Sequence, residues 1–317
     1  MSEDTPDFGT LYAGLSALAG AGRYQEALER AAAAQPHYPE AEGILLLFRA
    51  GMAARLNDRR QALALLHDAL ERGEWFAPVF WQSADFAPLR DLDEFRRLRA
   101  LSDQRRSAAR AAARPELFVH LPEQALEPLP VLMTLHGNLH NGEIELPHWS
   151  GMLARGWLVA AAQSSQIARP GRYVWTDRRK AERELREHYN ALRDEYPIEA
   201  GHFVVGGFSM GAETALALAL RGVLPADGFL AVAPGGPVLR AEDEIDALLD
   251  GPLPSGLRGA LVFGARDPMA APIESLARKL EAAGLPPRLP AYDDAGHAHP
   301  PDFAERLPEL IAFLVES

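Results

Sequence analysis

The sequence predicts an α/β protein: a mostly parallel sheet with helices on both faces, preceded by an all-α helical-repeat domain. Three observations carry this. Residues 11 to about 113 are rich in Ala, Leu, Arg and Glu, nearly free of β-branched residues, and helically periodic. Beyond Pro115 the texture changes to short apolar runs alternating with amphipathic segments, the pattern of strand and helix units. Within this second part, residues 202–220 read HFVVGGFSMGAETALALAL, an apolar β-branched run that meets a glycine-flanked serine and continues at once into an Ala/Leu run. The domain reading is therefore helical over 1–112 and α/β over 113–317.

Within the helical part, QEALERAAAA at 25–34 is echoed by QALALLHDAL at 61–70, and Ala27 with Ala62 and Ala34 with Ala69 share an offset of 35. With Gly22, Tyr24, Ala27, Ala34 and Pro39 at consensus points, this resembles tetratricopeptide repeats, in which small residues let paired helices approach closely. The resemblance implies a possible protein or peptide partner for this domain. The second copy has Asn57 and Arg59 in place of Gly and Tyr, so the match covers about two irregular repeats. Trp75, Phe76, Phe80, Trp81, Phe86 and Phe95 follow; they could close the repeat core or dock it on the next domain, and the expectation is that the helical domain packs on the next one through this cluster, which would otherwise be an exposed patch. The run RRSAARAAAR at 105–114 reads as a solvated helical face, and Pro115 stops it.

In the second part the spacing predicts strands at 117–120, 131–135, 157–162, 203–206, 229–233, 260–264 and 288–292. Helices are expected near 149–155, 177–196, 212–221, 272–283 and 303–314. The loop 163–176 is longer than an ordinary connection and carries Tyr173 and Trp175, which makes these two the candidate substrate-binding residues; with Trp149 they stand between core and pocket wall. Residues 233–259 have room for one short acidic helix and Pro-rich turns, not for a large lid.

Composition excludes several classes. The chain has 317 residues, 48% of them hydrophobic, enough for a sizeable core. A formal net charge of −12, from 44 acidic against 32 basic residues, disfavours nucleic acid or an anionic membrane as partner. The absence of cysteine removes disulfides, thiolate catalysis and thiolate-bound zinc together. The start, MSEDTPDFGT, lacks the basic and apolar regions of a secretion signal, and no apolar run reaches membrane-spanning length, so the expectation is a soluble cytoplasmic protein acting on a small neutral molecule.

The chemistry centres on Gly207-Phe208-Ser209-Met210-Gly211. A strand-to-helix turn with this G-x-S-x-G pattern thrusts the serine hydroxyl outward and needs glycine on each side, because a side chain there would strike neighbouring backbone. The helix start also points unpaired N–H groups at charge that develops beside Ser209. His136-Gly137-Asn138 follows the strand at 131–135, and the N–H groups of Asn138 and Met210 are assigned to an oxyanion hole. Asp267 follows the strand at 260–264 and His297 the strand at 288–292, both at carboxyl ends where such sheets collect their chemistry. A serine hydroxyl needs a base to take its proton; an imidazole can accept that proton near neutrality and return it to a leaving alcohol, and a carboxylate holds the imidazole in the right tautomer.

These pieces together identify residues 116–317 as resembling α/β-hydrolases of the small carboxylesterase, phospholipase-carboxylesterase and dienelactone-hydrolase-like group. They are LHGN at 135–138, YVWTD at 173–177, GGFSMG at 206–211, GARDP at 264–268 and AGHAHP at 295–300, in the chain order Ser209, Asp267, His297. The resemblance implies ester hydrolysis through an acyl-enzyme, with these three residues as nucleophile, orienting acid and base, and with no cofactor or metal. Met210-Gly211-Ala212 stands where many relatives have Gln-Gly-Gly, so no specific substrate carries over.

Alternatives stay open at this level. Asp267 could cap the helix near Pro272, Asp293 or Asp294 could replace it, and His299 competes with His297. His136 with His140, or Asp294 with His297 and His299, can be drawn as metal ligands, though neither set has helical ligand spacing. A serine peptidase or an acyltransferase would use the same residues, and a protein-binding repeat module could carry a vestigial hydrolase; survival of every catalytic residue type argues against the last.

Overall fold

The computed structural model describes residues 8–293 and 295–316. The chain divides into two compact units, Met1–Ala112 and Ala113–Ser317. The first contains α1 (Phe8–Gly20), α2 (Tyr24–Ala34), α3 (Glu42–Arg55), α4 (Arg59–Glu71), the single turn α5 (Pro78–Trp81) and α6 (Asp93–Ala112). From α1 to α4 each helix packs on the next. Ala27 of α2 and Ala62 of α4 are both fully buried, as close helix approach requires. The Asp58 side chain accepts from Gln61 N–H and so starts α4 with an ordinary N-cap.

The aromatic segment closes this unit's own core. Phe76, Trp81, Phe86 and Phe95 are buried with Leu46, Leu66 and Leu70 of α3 and α4, and the Trp81 and Phe95 rings meet edge-on at 5.5 Å. Ser102 of α6 settles the polar groups left inside, its Oγ accepting from Phe76 N–H at 2.8 Å and from the Trp81 indole at 3.3 Å.

In the second unit the order is β1 (Glu116–His120), β2 (Leu129–Leu135), α7 (Gly142–Trp149), β3 (Leu158–Gln163), β4 (Ile167–Arg169), β5 (Arg172–Tyr173), α8 (Arg178–Glu195), β6 (Ile198–Phe208), α9 (Met210–Leu220), β7 (Gly228–Val232), α10 (Glu242–Leu249), β8 (Arg258–Gly264), α11 (Ala270–Ala282), β9 (Ala291–Tyr292) and α12 (Phe303–Val315). Among the described residues the main sheet runs β1-β3-β2-β6-β7-β8-β9, parallel throughout except where β1 pairs with β3. Alternation along β2 sorts its side chains between two cores. Val131, Met133 and Leu135 face the apolar sides of α8 to α11, whereas Leu132 joins Trp149 of α7 and Leu307, Leu310 and Leu314 of α12. Both faces are thus covered, as a parallel sheet demands.

Three local differences from expectation have physical causes. The strand expected at 288–292 contracts to Ala291–Tyr292, with Arg288 making only an isolated bridge to Ala260, because Pro290 has no N–H for the ladder. The helix expected from Trp149 begins earlier, at Gly142, where the Asn141 side chain accepts from Ile144 N–H; from Ser150 to Arg155 the chain tightens to a 3₁₀ turn. The long loop at 163–176 contains a small hairpin, β4 against β5, turning at Pro170-Gly171 with Gly171 at φ 63°.

Candidate active site

The parallel strands deliver four loops to one edge of the sheet: the turn after β2, the β6–α9 elbow, the β8–α11 loop and the loop after β9. Ser209 sits on the elbow at φ 53°, ψ −118°, a backbone conformation costly for any residue with a side chain. Two glycines make it possible. A Cβ on Gly207 would lie 2.7 Å from Leu135 O, and one on Gly211 2.3 Å from Leu135 O and 2.4 Å from His136 O. Neither glycine has positive φ; each is needed for space, because α9 starts directly against the end of β2.

Ser209 Oγ lies 2.8 Å from His297 Nε2, and His297 Nδ1 lies 2.8 Å from Asp267 Oδ2. With the Asp267 carboxylate as acceptor, Nδ1 carries the proton and Nε2 is free to accept from the serine hydroxyl. Asp267 is buried at 4% exposure, and its second oxygen accepts from Met269 N–H at 2.8 Å, so the carboxylate cannot rotate away. Its loop is pinned to that of His297: Ala265 N–H donates to Tyr292 O, Arg266 N–H to Ala295 O, and Gly264 lies so close to Ala295 that a Cβ there would be 2.0 Å from Ala295 O.

The competing residues lie elsewhere. Asp267 accepts from Met269 N–H but is also the carboxylate on His297, so capping and orientation are one arrangement. Asp293 is exposed in a turn, and Asp294 falls outside the described residues. His299 stacks on His148 at 3.9 Å and on Phe208 at 4.6 Å, with Nε2 3.3 Å from the buried Glu145 Oε1 but not aligned for a hydrogen bond. Phe208 touches His297 as well, its ring centroid 5.3 Å away, so one aromatic ring backs both imidazoles. Among the described residues no group of three or more His, Asp or Glu side chains is arranged to hold a metal ion.

The turn after β2 is held from three sides. Gly137 is needed because a Cβ would strike the Phe208 ring at 2.8 Å. Leu139, at φ 57°, donates its N–H to Tyr173 O, and Tyr173 N–H donates to His140 O, so the hairpin at 167–173 is laddered to the turn. Trp175, which stood between core and pocket wall, is 5% exposed; its indole donates to His136 O at 2.9 Å and its ring stacks on the His136 imidazole at 4.8 Å. Tyr173 is half-buried beside the turn. Asn138 is exposed at the turn and Met210 opens α9; among the described residues neither N–H has a protein acceptor, the condition an oxyanion donor must meet. The Pro170-Gly171 turn between Ile167-Ala168-Arg169 and Arg172-Tyr173 was the sequence signal for this hairpin.

His136 carries a pH consequence. It is fully buried, its Nε2 accepts from Ser164 N–H and its Nδ1 donates to Gly137 O, and burial pushes its pKa down to about 4. The native state therefore keeps this imidazole neutral where the unfolded chain would protonate it. The stability involved is fully present above about pH 6.5 and is lost as pH falls toward 4, on the order of 3 kcal/mol in all. The thermal midpoint is expected to drop between pH 7 and pH 4.5, with a shallower drop in His136→Gln; equal slopes for both proteins would refute the assignment.

Comparison with known proteins follows the same lines. Residues 13–110 match the family described as A/B hydrolase-like, N-terminal domain. An uncharacterized protein from Bacillus cereus ATCC 10987 is similar across 97% of this chain and 98% of its own, at 24% identity and a TM-score of 0.55. The Bacillus cereus carboxylesterase covers 66% of this chain with 98% of its own length, at 19% identity and a TM-score of 0.51. Esterase PE8 covers 63% with 98% of its own, at 19% identity and 0.52. No curated protein matches the sequence. Residues 113–317 thus have the α/β-hydrolase fold, preceded in the chain by a helical unit that matches the A/B hydrolase-like N-terminal family.

Proposed function

We propose that the protein is a serine hydrolase that cleaves carboxylic esters of small molecules through an acyl-enzyme intermediate. The observation that carries this is the continuous contact from Ser209 Oγ to His297 Nε2 and from His297 Nδ1 to Asp267 Oδ2, set on a strained strand-to-helix turn. Ser209 attacks the ester carbonyl while His297 takes its proton. The oxyanion so formed accepts hydrogen bonds from the Asn138 and Met210 N–H groups, a single such donor being worth about 2.7 to 4 kcal/mol. His297 then returns the proton to the leaving alkoxide. Water, deprotonated by the same imidazole, attacks the acyl-serine, and the acid departs as Ser209 regains its proton. No step calls for a metal or cofactor.

The test is direct. Purified protein is expected to hydrolyse p-nitrophenyl acetate and butyrate and to be labelled covalently by a fluorophosphonate, with label and activity lost in parallel at one site per chain. Protein that neither turns over these esters nor labels would overturn the reading. Faster turnover of thioesters or amides in a side-by-side panel would keep the nucleophile and change the substrate class.

A further inference from the structure

Glu213 has no part in the chemistry so far, yet it lies one helical turn beyond Ser209, in an Ala/Leu-rich helix, at 5% exposure. A buried carboxylate in such a helix is costly unless its oxygens are engaged. Here they hold the segment that follows β7. Glu213 Oε2 accepts from Leu239 N–H at 2.9 Å, and the neighbouring Val238 N–H also favours the charged carboxylate. Gly236 lies flat over it, where a Cβ would be 2.4 Å from Oε1. Burial raises the Glu213 carboxyl above the ordinary carboxylate range, opposed by these two N–H groups and by Arg178 and Arg240.

The same segment touches the catalytic residues. Gly235 N–H donates to Ser209 O at 3.1 Å, and Gly235 is so close to His297 that a Cβ there would lie 3.2 Å from Cε1 of the ring. Asp267 and Ser209 fix the two nitrogens of His297, Phe208 lies beside its ring, and a side chain at 235 would crowd its Cε1. We infer that Glu213 is a positioning residue for His297: its carboxylate clamps residues 235–239, and Gly235 of the clamped segment backs the imidazole at the angle from which it can serve Ser209. The inference rests on the ester-hydrolase reading for its kinetic readout only.

Replacing Glu213 by Leu is expected to lower kcat for p-nitrophenyl acetate about 10- to 100-fold while KM stays within about threefold, since an imidazole out of line costs the transition state and not ground-state binding. Glu213→Gln keeps a carbonyl acceptor for Leu239 N–H and is expected to recover most of the loss. Gly235→Ala leaves the clamp intact but presses a methyl on the ring, and is expected to lower kcat similarly with little change in thermal midpoint. The low-field proton NMR signal of His297 Nδ1–H, which does not depend on turnover, is expected to shift or broaden in Glu213→Leu and Gly235→Ala. Wild-type kcat and an unmoved signal in Glu213→Leu would overturn the inference even if that variant were less stable; should Glu213→Leu fail to fold, the same two readouts on Glu213→Ala decide. If the wild-type protein turned over no ester, the function reading would fall, while the NMR signal would still test the clamp.

Discussion

Ser209→Ala is expected to lower kcat/KM for p-nitrophenyl acetate about a million-fold and to abolish fluorophosphonate labelling, while the thermal midpoint stays near that of the wild type. The size follows from removing a nucleophile that works as one unit with its base, where a single loss costs nearly what the loss of all members costs. The preserved fold follows from the structure. Alanine keeps the Cβ that Ser209 already accommodates at φ 53°, and the one side-chain hydrogen bond lost is that to His297. Residual turnover above a few per cent of wild type, or labelling at another residue, would remove Ser209 from its role.

His297→Ala is expected to cost as much, and the double variant with Ser209→Ala no more than either alone, because once base or nucleophile is missing the other has nothing to act with. His299→Ala gives the contrast. His299 packs against His148, Trp149, Phe208 and Phe303, and among the described residues its Nε2 has no hydrogen-bond partner, so its loss is expected to lower the thermal midpoint and change kcat less than about tenfold. The reverse ordering would move the base to His299 and make the Ser209–His297 contact incidental.

What the sequence disclosed about this site depends on how far the relevant partner lies along the chain. The elbow was legible because its constraints are local: a strand, two glycines and a helix within 19 residues, at 202–220, leave few other structures. Asp267 and His297 were legible because strand ends collect chemistry, which needs no knowledge of side-chain contacts. The role of Trp175 was not legible. Its acceptor, His136 O, is 39 residues away, and nothing in YVWTD distinguishes an indole that supports a turn from one that lines a pocket. Glu213 was hidden for the same reason, 26 residues from Leu239, though a lone carboxylate in an Ala/Leu helix was a signal that it had buried partners. In the helical unit the aromatics of 75–95 could be seen to be core material, but periodicity could not say whose core they would complete.

The ladder between the 167–173 hairpin and the turn after β2 has a consequence for anyone wishing to redesign this protein. Leu139 N–H to Tyr173 O and Tyr173 N–H to His140 O hold the two residues that directly follow Asn138, so the hairpin and the Asn138 amide share one piece of backbone scaffolding. In many scaffolds the loop that selects the substrate can be exchanged as a cassette while the reacting groups stay put. Under the proposed function, a graft that changes the length of the hairpin would also displace the amide assigned to the oxyanion, where tenths of an ångström count. On the same proposal, a library that varies side chains of the hairpin and keeps its turn at Pro170-Gly171 is expected to change selectivity more than rate, whereas one that varies its length is expected to change both quantities at once.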